Sequence, residues 1–143
     1  MESDGTRQST PGKQALYEVV EAFGADALRD LWVFDGDAQE PLFVRADVAD
    51  ELAETDAERY IDNERYGFVT RETYDNLHYA EFYYTVRGFD SFEQYRTFVS
   101  RDGERIGVLC SFDRRKGGYD FADLTERLPT ELADYPLSDL RPS

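Results

Sequence analysis

The sequence is poor in the residues that build metal and cofactor sites, and this scarcity excludes several classes of protein. It has one cysteine, Cys110, so no disulfide can form within the chain and no cysteine-rich zinc site can be built. It has one histidine, His78, and therefore lacks the second histidine that a typical zinc or iron centre uses. No P-loop or dinucleotide-binding glycine pattern is present. The sequence therefore predicts a protein without metal, cofactor or catalytic residues.

Long apolar segments are also missing. No apolar run approaches the ~18 residues that would cross a bilayer. The N-terminal stretch MESDGTRQSTPGK is polar and acidic, and it lacks the basic and apolar regions of a signal peptide. We therefore expect a soluble, cytoplasmic protein that does not bind membranes.

Lysine is scarce although the chain is highly charged. The 31 Asp and Glu residues outnumber the 16 Lys and Arg residues, which gives a net charge of −15, and only 2 of the bases are Lys. This composition resembles that of proteins from salt-accumulating halophiles, because carboxylates retain water and cations where water is scarce. At about 1 M salt the Debye length is about 3 Å, so self-repulsion is screened there and acts at low salt. The acidity argues against a nucleic acid partner, because affinity for phosphates comes mostly from Lys and Arg.

The length of 143 residues fits one domain. We expect a disordered N-terminal tail over 1–12, a single globular domain over 13–135 and a C-terminal tail over 136–143. Apolar positions at helical spacing predict three helices, over 13–23, 47–60 and 121–132. Short apolar runs on either side of a turn predict a first hairpin, with strands at 31–34 and 41–45.

The second half of the domain predicts three more strands. Alternating residues over 76–87 predict a strand with Tyr84 and Val86 on its apolar face. Asp102-Gly103 predicts a tight turn between strands at 92–100 and 104–112, with Tyr95 opposite Cys110. The result is an α/β (α+β) domain in the order α-β-β-α-β-β-β-α, a five-stranded, mainly antiparallel sheet covered by about three helices. This order resembles the small layered folds of the roadblock, longin and profilin type.

Two longer stretches carry a further resemblance. FGADALRDLWVFDGDAQEPLFVRADVADEL at 23–52 and YYTVRGFDSFEQYRTF at 83–98 resemble a family of small haloarchaeal domains with no assigned function. The matching features are Leu28-Arg29, the junction from Leu42 to Val48 and the turn from Val86 to Asp90. The sequence departs from the pattern of this family at two positions, because Phe43 and Ala46 stand where the family is expected to have Tyr and Asp. The resemblance implies a haloarchaeal, cytoplasmic setting and no catalytic residues.

Most candidate sites have simpler structural explanations. His78 lacks a partner at catalytic or metal-binding spacing, and Cys110 lies on an apolar strand face, so we expect both to be structural. The acidic pairs Asp35/Asp37 and Asp47/Asp50 fit turn and helix-capping roles. The aromatics that could stack nucleic acid bases, Tyr79, Tyr83 and Phe98, are expected to pack under a helix instead.

The basic loop at 114–118 is the most unusual local feature in this acidic chain. It consists of Arg114, Arg115, Lys116, Gly117 and Gly118. Three bases and two glycines could hold an anion or contact a carboxylate-rich partner. We treat the loop as a candidate anion-binding or partner-binding site, and solvated charge is the alternative explanation.

These observations favour a non-enzymatic protein-interaction or regulatory module with a protein partner or a second copy of the chain. The alternative is a small-ligand-sensing domain, whose pocket between sheet and helices would be lined by Tyr79, Tyr83 and Arg87. A nucleic-acid binder that uses the arginines of the second half is the least favoured alternative.

Overall fold

The computed structural model describes residues 7–53, 57–68, 70, 73, 77 and 83–143. Along these residues we number four helices and five strands in chain order: α1 (Pro11–Gly24), β1 (Leu28–Phe34), β2 (Gln39–Val44), α2 (Ala46–Ala53), α3 (Ala57–Arg65), β3 (Tyr84–Gly88), β4 (Phe92–Arg101), β5 (Glu104–Asp113) and α4 (Phe121–Glu131). Short 3-10 helices lie at Ala25–Ala27 and Leu137–Leu140.

The five strands form one antiparallel sheet in the order β2-β1-β5-β4-β3. This confirms the expected fold class, with four helices described where about three were expected. The β4–β5 hairpin has the expected register, with Tyr95 opposite Cys110. Asp102 (φ 52°) and Gly103 (φ 82°) both take positive φ values, as a two-residue turn needs in order to match the twist of the strands.

The main core lies on the sheet face that α1 and α4 cover. Leu16 and Val20 of α1 and Leu124 of α4 are fully buried against Val33 and Val108 of the sheet. These residues follow helical spacing in the helices and alternation in the strands, so the pattern in the sequence located this face correctly. Each such side chain contributes roughly 1.5–3 kcal/mol through burial.

The two chain ends differ from the expected tails. Thr10 caps α1, with its side chain accepting a hydrogen bond from the Lys13 amide at 3.1 Å, so the helix begins at Pro11. Leu137 and Leu140 are buried in the main core. The Thr10 hydroxyl also donates to the Asp139 carbonyl at 2.7 Å, which joins the two ends. Two leucines in a short segment give no readable periodicity, so the sequence pattern alone predicts a tail over 136–143.

The helix expected over 47–60 is described as α2 and α3, on either side of residues 54–56. Helix α3 continues beyond the expected end to Arg65 because Ile61 and Glu64 face the sheet. Ile61 belongs to a second apolar cluster, on the face of the sheet that α3 covers, together with Trp32, Phe34, Phe98 and Leu109. Glu64 is a charged residue in a buried position, so apolar periodicity could not reveal the last turn.

The strand expected over 76–87 can be compared with the structure only at residues 77 and 83–87. Leu77 is helical, and the described strand begins at Tyr84. His78 and Tyr79 lie outside the described residues. Strand propensity of aromatic residues depends on the neighbours against which they pack, and β4 pairs with β3 only from Tyr84 to Gly88.

Candidate protein-interaction surface

Strand β3 forms one edge of the sheet. Among the described residues it pairs with β4, and no strand lies beyond it. Its two ends carry exposed aromatic side chains, Tyr83 at 58% and Phe89 at 43% of their full accessibility. We call the segment from Tyr83 to Phe89 the β3 surface. An edge strand presents outward-facing N–H and C=O groups that can pair with another chain.

The opposite edge, β2, is protected against such pairing. Pro41 has no N–H to donate. The Gln8 side-chain amide donates to the Leu42 carbonyl at 2.7 Å, so part of the β2 backbone already has a partner. The buried Lys13 ammonium binds the Glu40 carboxylate at 2.7 Å and fixes α1 to this strand. The two edges of the sheet are therefore not equivalent.

A buried charge cluster supports β3 from the α3 side. The Glu64 carboxylate accepts hydrogen bonds from Arg87 of β3 at 2.5 Å and from Arg96 of β4 at 3.2 Å. Arg96 also donates to the Thr85 hydroxyl at 3.2 Å. A Cβ at Gly67 would lie 2.7 Å from the Arg96 guanidinium carbon, so only glycine allows this close approach. The cluster fixes the position of β3 from beneath.

The basic loop lies beside the turn that follows β3. The Arg114 guanidinium donates to the Phe89 carbonyl at 3.1 Å, and Phe89 stacks on Phe92 with ring centroids 4.8 Å apart. Arg115 lies 4.4 Å above the Tyr119 ring, and Lys116 is exposed. Arg114 therefore extends the β3 surface at one end, and Arg115 and Lys116 follow it in the exposed loop.

The two glycines of the basic loop form its turn, and a carboxylate of the chain itself caps the helix that follows. Gly117 (φ 86°) and Gly118 (φ 74°) both take positive φ values. The Asp120 carboxylate accepts from the Asp123 amide at 3.1 Å and caps α4. The N-terminus of α4 therefore already has an anionic partner within the chain. The loop's geometry therefore favours a partner surface over an anion pocket.

Of the predicted pocket residues, Tyr83 and Arg87 are described, and they do not line the same cavity. Tyr83 lines a cavity of about 600 Å³ between β4 and α4. Arg87 does not line it and forms its ion pair with Glu64 instead. Tyr79 lies outside the described residues.

One carboxylate of each acidic pair singled out in the sequence has a structural partner. The Asp35 carboxylate accepts hydrogen bonds from the amides of Asp37 and Ala38, both at 2.8 Å, and shapes the β1–β2 turn. Asp47 pairs with Arg45 at 2.7 Å. Within the described ranges, no group of three or more His, Cys, Asp or Glu residues could hold a metal ion.

Two ionisable side chains are buried in the sheet, and burial raises the pKa of each. Cys110 is fully buried, and burial raises the pKa of its thiol well above the usual value, so it is poorly suited to act as a nucleophile. Asp30 of β1, which sequence analysis missed, is also buried, and burial raises the pKa of its carboxyl although the Ser111 hydroxyl donates to it at 2.7 Å. The signal that could have revealed this buried carboxyl is the single Asp within the strand-forming run LRDLWVF.

Comparison with known families gives one match. A domain of unknown function (DUF7522) matches residues 14–133, which is most of the chain. The chain belongs to this family. No protein in the curated set matches it significantly. Within the described part of the chain, no helix is long and apolar enough to cross a membrane.

Two solved structures are similar to this chain at low sequence identity. The gliding protein MglB from Thermus thermophilus is 14% identical, with a TM-score of 0.53 over 94% of this chain and 100% of that one. A structure described as MglB with tetrameric arrangement is 16% identical, with a TM-score of 0.49 over 94% of this chain and 98% of that one. The first likeness confirms the fold, and neither carries function to this family member.

Proposed function

We propose that this protein is a non-enzymatic interaction module that pairs with a second copy of itself through the β3 surface. One observation carries the proposal. The β3 edge is flanked by exposed Tyr83 and Phe89, whereas Pro41 and Gln8 protect the β2 edge. Unprotected edges favour pairing with other strands, and among the described residues only the β2 edge carries such protection, so the β3 surface is the favoured side for pairing.

The sequence of β3 is compatible with itself across a two-fold axis. If two antiparallel copies meet at Val86, then Val86 lies opposite its own counterpart and Thr85 lies opposite Arg87. No like charges face each other in this register, although the whole chain carries −15. A symmetric contact of this kind uses the same patch on both copies.

The strand edge alone is too small for a stable dimer. Stable interfaces bury about 1,200–2,000 Å² in total, and a five-residue strand supplies only part of this area. The exposed rings of Tyr83 and Phe89 and the basic loop lie where they can contribute the remainder. Aromatic and arginine side chains are enriched at such interfaces.

We propose that the surface charge adapts this module to a salt-rich, haloarchaeal cytoplasm. The support is the excess of carboxylates over bases and the presence of only 2 lysines, one of which, Lys13, is buried. High salt screens long-range repulsion between two acidic copies. It leaves backbone hydrogen bonds and aromatic packing at the β3 surface to stabilise the contact.

A charge-exchange experiment tests the self-pairing. Val86→Asp and Val86→Lys each place a charge opposite its own copy, so each variant alone should be monomeric by sedimentation equilibrium in about 2 M KCl. An equimolar mixture should recover the wild-type dimer mass, because Asp then faces Lys. Ala122→Asp adds the same charge on the exposed side of α4 and should leave the dimer unchanged.

The equimolar mixture of the two Val86 variants distinguishes a variant that misfolds from one that only loses the interface. Two variants that recombine into a dimer are both folded, and the melting midpoint of each gives a second check. A monomeric wild-type protein across the concentration range would refute the proposal. So would dimers of undiminished affinity in both Val86 variants.

A further inference from the structure

A second surface feature adjoins the β3 surface, and Tyr83 belongs to both. The cavity between β4 and α4 has a volume of about 600 Å³. This is within the roughly 300–1,000 Å³ of small-molecule sites. Its β4 wall consists of Thr97 to Arg101, and Thr97 pairs with Tyr84, the first residue of β3.

The walls of the cavity are mostly apolar; several of their polar side chains are already engaged, and Glu126 adds an exposed carboxylate. Val99 of β4 and Leu128 and Pro129 of α4 supply apolar surface. The Thr125 hydroxyl lies 2.6 Å from the Tyr95 hydroxyl and donates to a helix carbonyl at 2.8 Å. The Arg101 guanidinium donates to the Leu132 carbonyl at 2.6 Å. A charged ligand would therefore find no uncommitted counter-charge in the Arg101 side chain.

One backbone acceptor at the cavity wall lacks its usual partner. In a regular helix the carbonyl of Thr125 would accept from the amide of residue 129. Residue 129 is proline, which has no N–H, and it lies inside α4. Thr125 and Pro129 both line the cavity. The missing bond leaves an acceptor for a hydrogen-bond donor that enters from the cavity.

We propose that this cavity binds a small, mainly apolar molecule that carries one N–H or O–H donor, and that the donor bonds to the Thr125 carbonyl. The apolar walls supply most of the binding free energy. The carbonyl fixes the orientation of the ligand, because a buried acceptor favours a molecule that satisfies it. This proposal does not depend on dimer formation.

Indole and 1-methylindole make a matched pair of probes, because they differ chiefly in the N–H donor. Each is titrated into the ¹⁵N-labelled full chain in high salt, and amide shifts are followed by NMR. Indole should shift Val99, Thr125 and Ala133 saturably and bind about tenfold more tightly than 1-methylindole. Ala133→Trp, at an exposed position on the cavity wall, should abolish these shifts by filling the space.

Pro129→Ala tests the acceptor itself. It restores the amide that bonds the Thr125 carbonyl, so the preference for indole should fall to about onefold, while the helix becomes more stable. The proposal is overturned by equal binding of the two probes to the wild-type protein. It is also overturned if no saturable shifts occur at the cavity, if binding survives in Ala133→Trp, or if the preference is unchanged in Pro129→Ala.

Discussion

Arg45 and Asp113 form a two-point ion pair, in which the terminal nitrogens of Arg45 donate to the two carboxylate oxygens at 2.6 and 2.9 Å. Arg45 follows β2 and Asp113 ends β5, with β1 between these strands, so the pair joins strands that are not neighbours. Hydrogen bonds from Arg45 hold the pKa of the Asp113 carboxyl below its usual value. Burial does the opposite to Asp30 and raises the pKa of that carboxyl.

These two carboxyls predict opposite pH dependences of stability. The contribution of Asp113 is present above its unfolded pKa near 3.8 and is lost as the pH falls through the lower folded value. The contribution of Asp30 is present below its unfolded pKa and is lost as the pH rises through the higher folded value. At pH 7, Asp113→Asn should therefore lower the free energy of unfolding by about 1 kcal/mol, and Asp30→Asn should raise it by a similar amount. The Asp30 effect should shrink as the pH falls towards 4, whereas the Asp113 effect should persist to pH 4 and shrink only below it.

Urea unfolding of the two variants and the wild type at constant KCl measures these differences. Each substitution removes one negative charge, so each variant is the charge-matched control for the other. The Asn side chain at position 30 keeps an oxygen that accepts from Ser111. Parallel pH profiles for the two variants would contradict the assignment of opposite environments.

Gly107 is required by the ring that covers it. It lies opposite Phe34 on one neighbouring strand and Phe98 on the other, and an added Cβ would meet the Phe34 ring inside contact distance. Gly107→Ala should lower the free energy of unfolding by about 1–3 kcal/mol, because Phe34 is fully buried and has no room to move. Gly36→Ala, in an exposed turn with no atom within 4 Å, is the control. Equal chemical denaturation midpoints for the two variants would show that the ring accommodates the methyl group.

The sequence predicted the parts of the fold that rest on local pattern. The register that places Tyr95 opposite Cys110 follows from a two-residue turn and from strand alternation. Glu64 could not be predicted as an inward-facing residue, because its burial depends on two arginines from distant strands. The same holds for Leu137 and Leu140, whose positions depend on the packing of the chain end against α1. The β3 edge and the cavity arise from strand order and helix placement, which local pattern does not contain.

The charge distribution predicts stability that depends on salt. At a net charge of −15, repulsion among carboxylates opposes the compact state when salt is low. The melting midpoint should rise markedly between about 0.1 and 3 M KCl, because the Debye length falls to a few ångströms. Tetramethylammonium chloride at matched concentrations screens charge with a bulkier cation and is the comparison for specific hydration by K⁺. A flat series in KCl would argue against salt adaptation.

The basic loop should contribute to the self-association and little to the fold. Arg114 and Arg115 are exposed, and their contacts with the Phe89 carbonyl and the Tyr119 ring lie at the surface. High salt screens simple charge attraction, so arginine should act through directed hydrogen bonds that lysine does not reproduce. Arg114→Ala with Arg115→Ala should leave the melting midpoint nearly unchanged and weaken the dimer by about 1–3 kcal/mol. Sedimentation equilibrium at one fixed salt concentration measures this change.

Two further variants distinguish geometry from charge at this loop. Arg114→Lys with Arg115→Lys keeps both charges and should still weaken the dimer, because the planar donors are lost. Arg127→Ala with Arg141→Ala removes the same charge from arginines outside the basic loop and should leave the dimer intact. Full dimer affinity in the double alanine variant at positions 114 and 115 would assign the loop to solvated surface charge. Full affinity in the lysine variant would instead show that charge alone carries the contact.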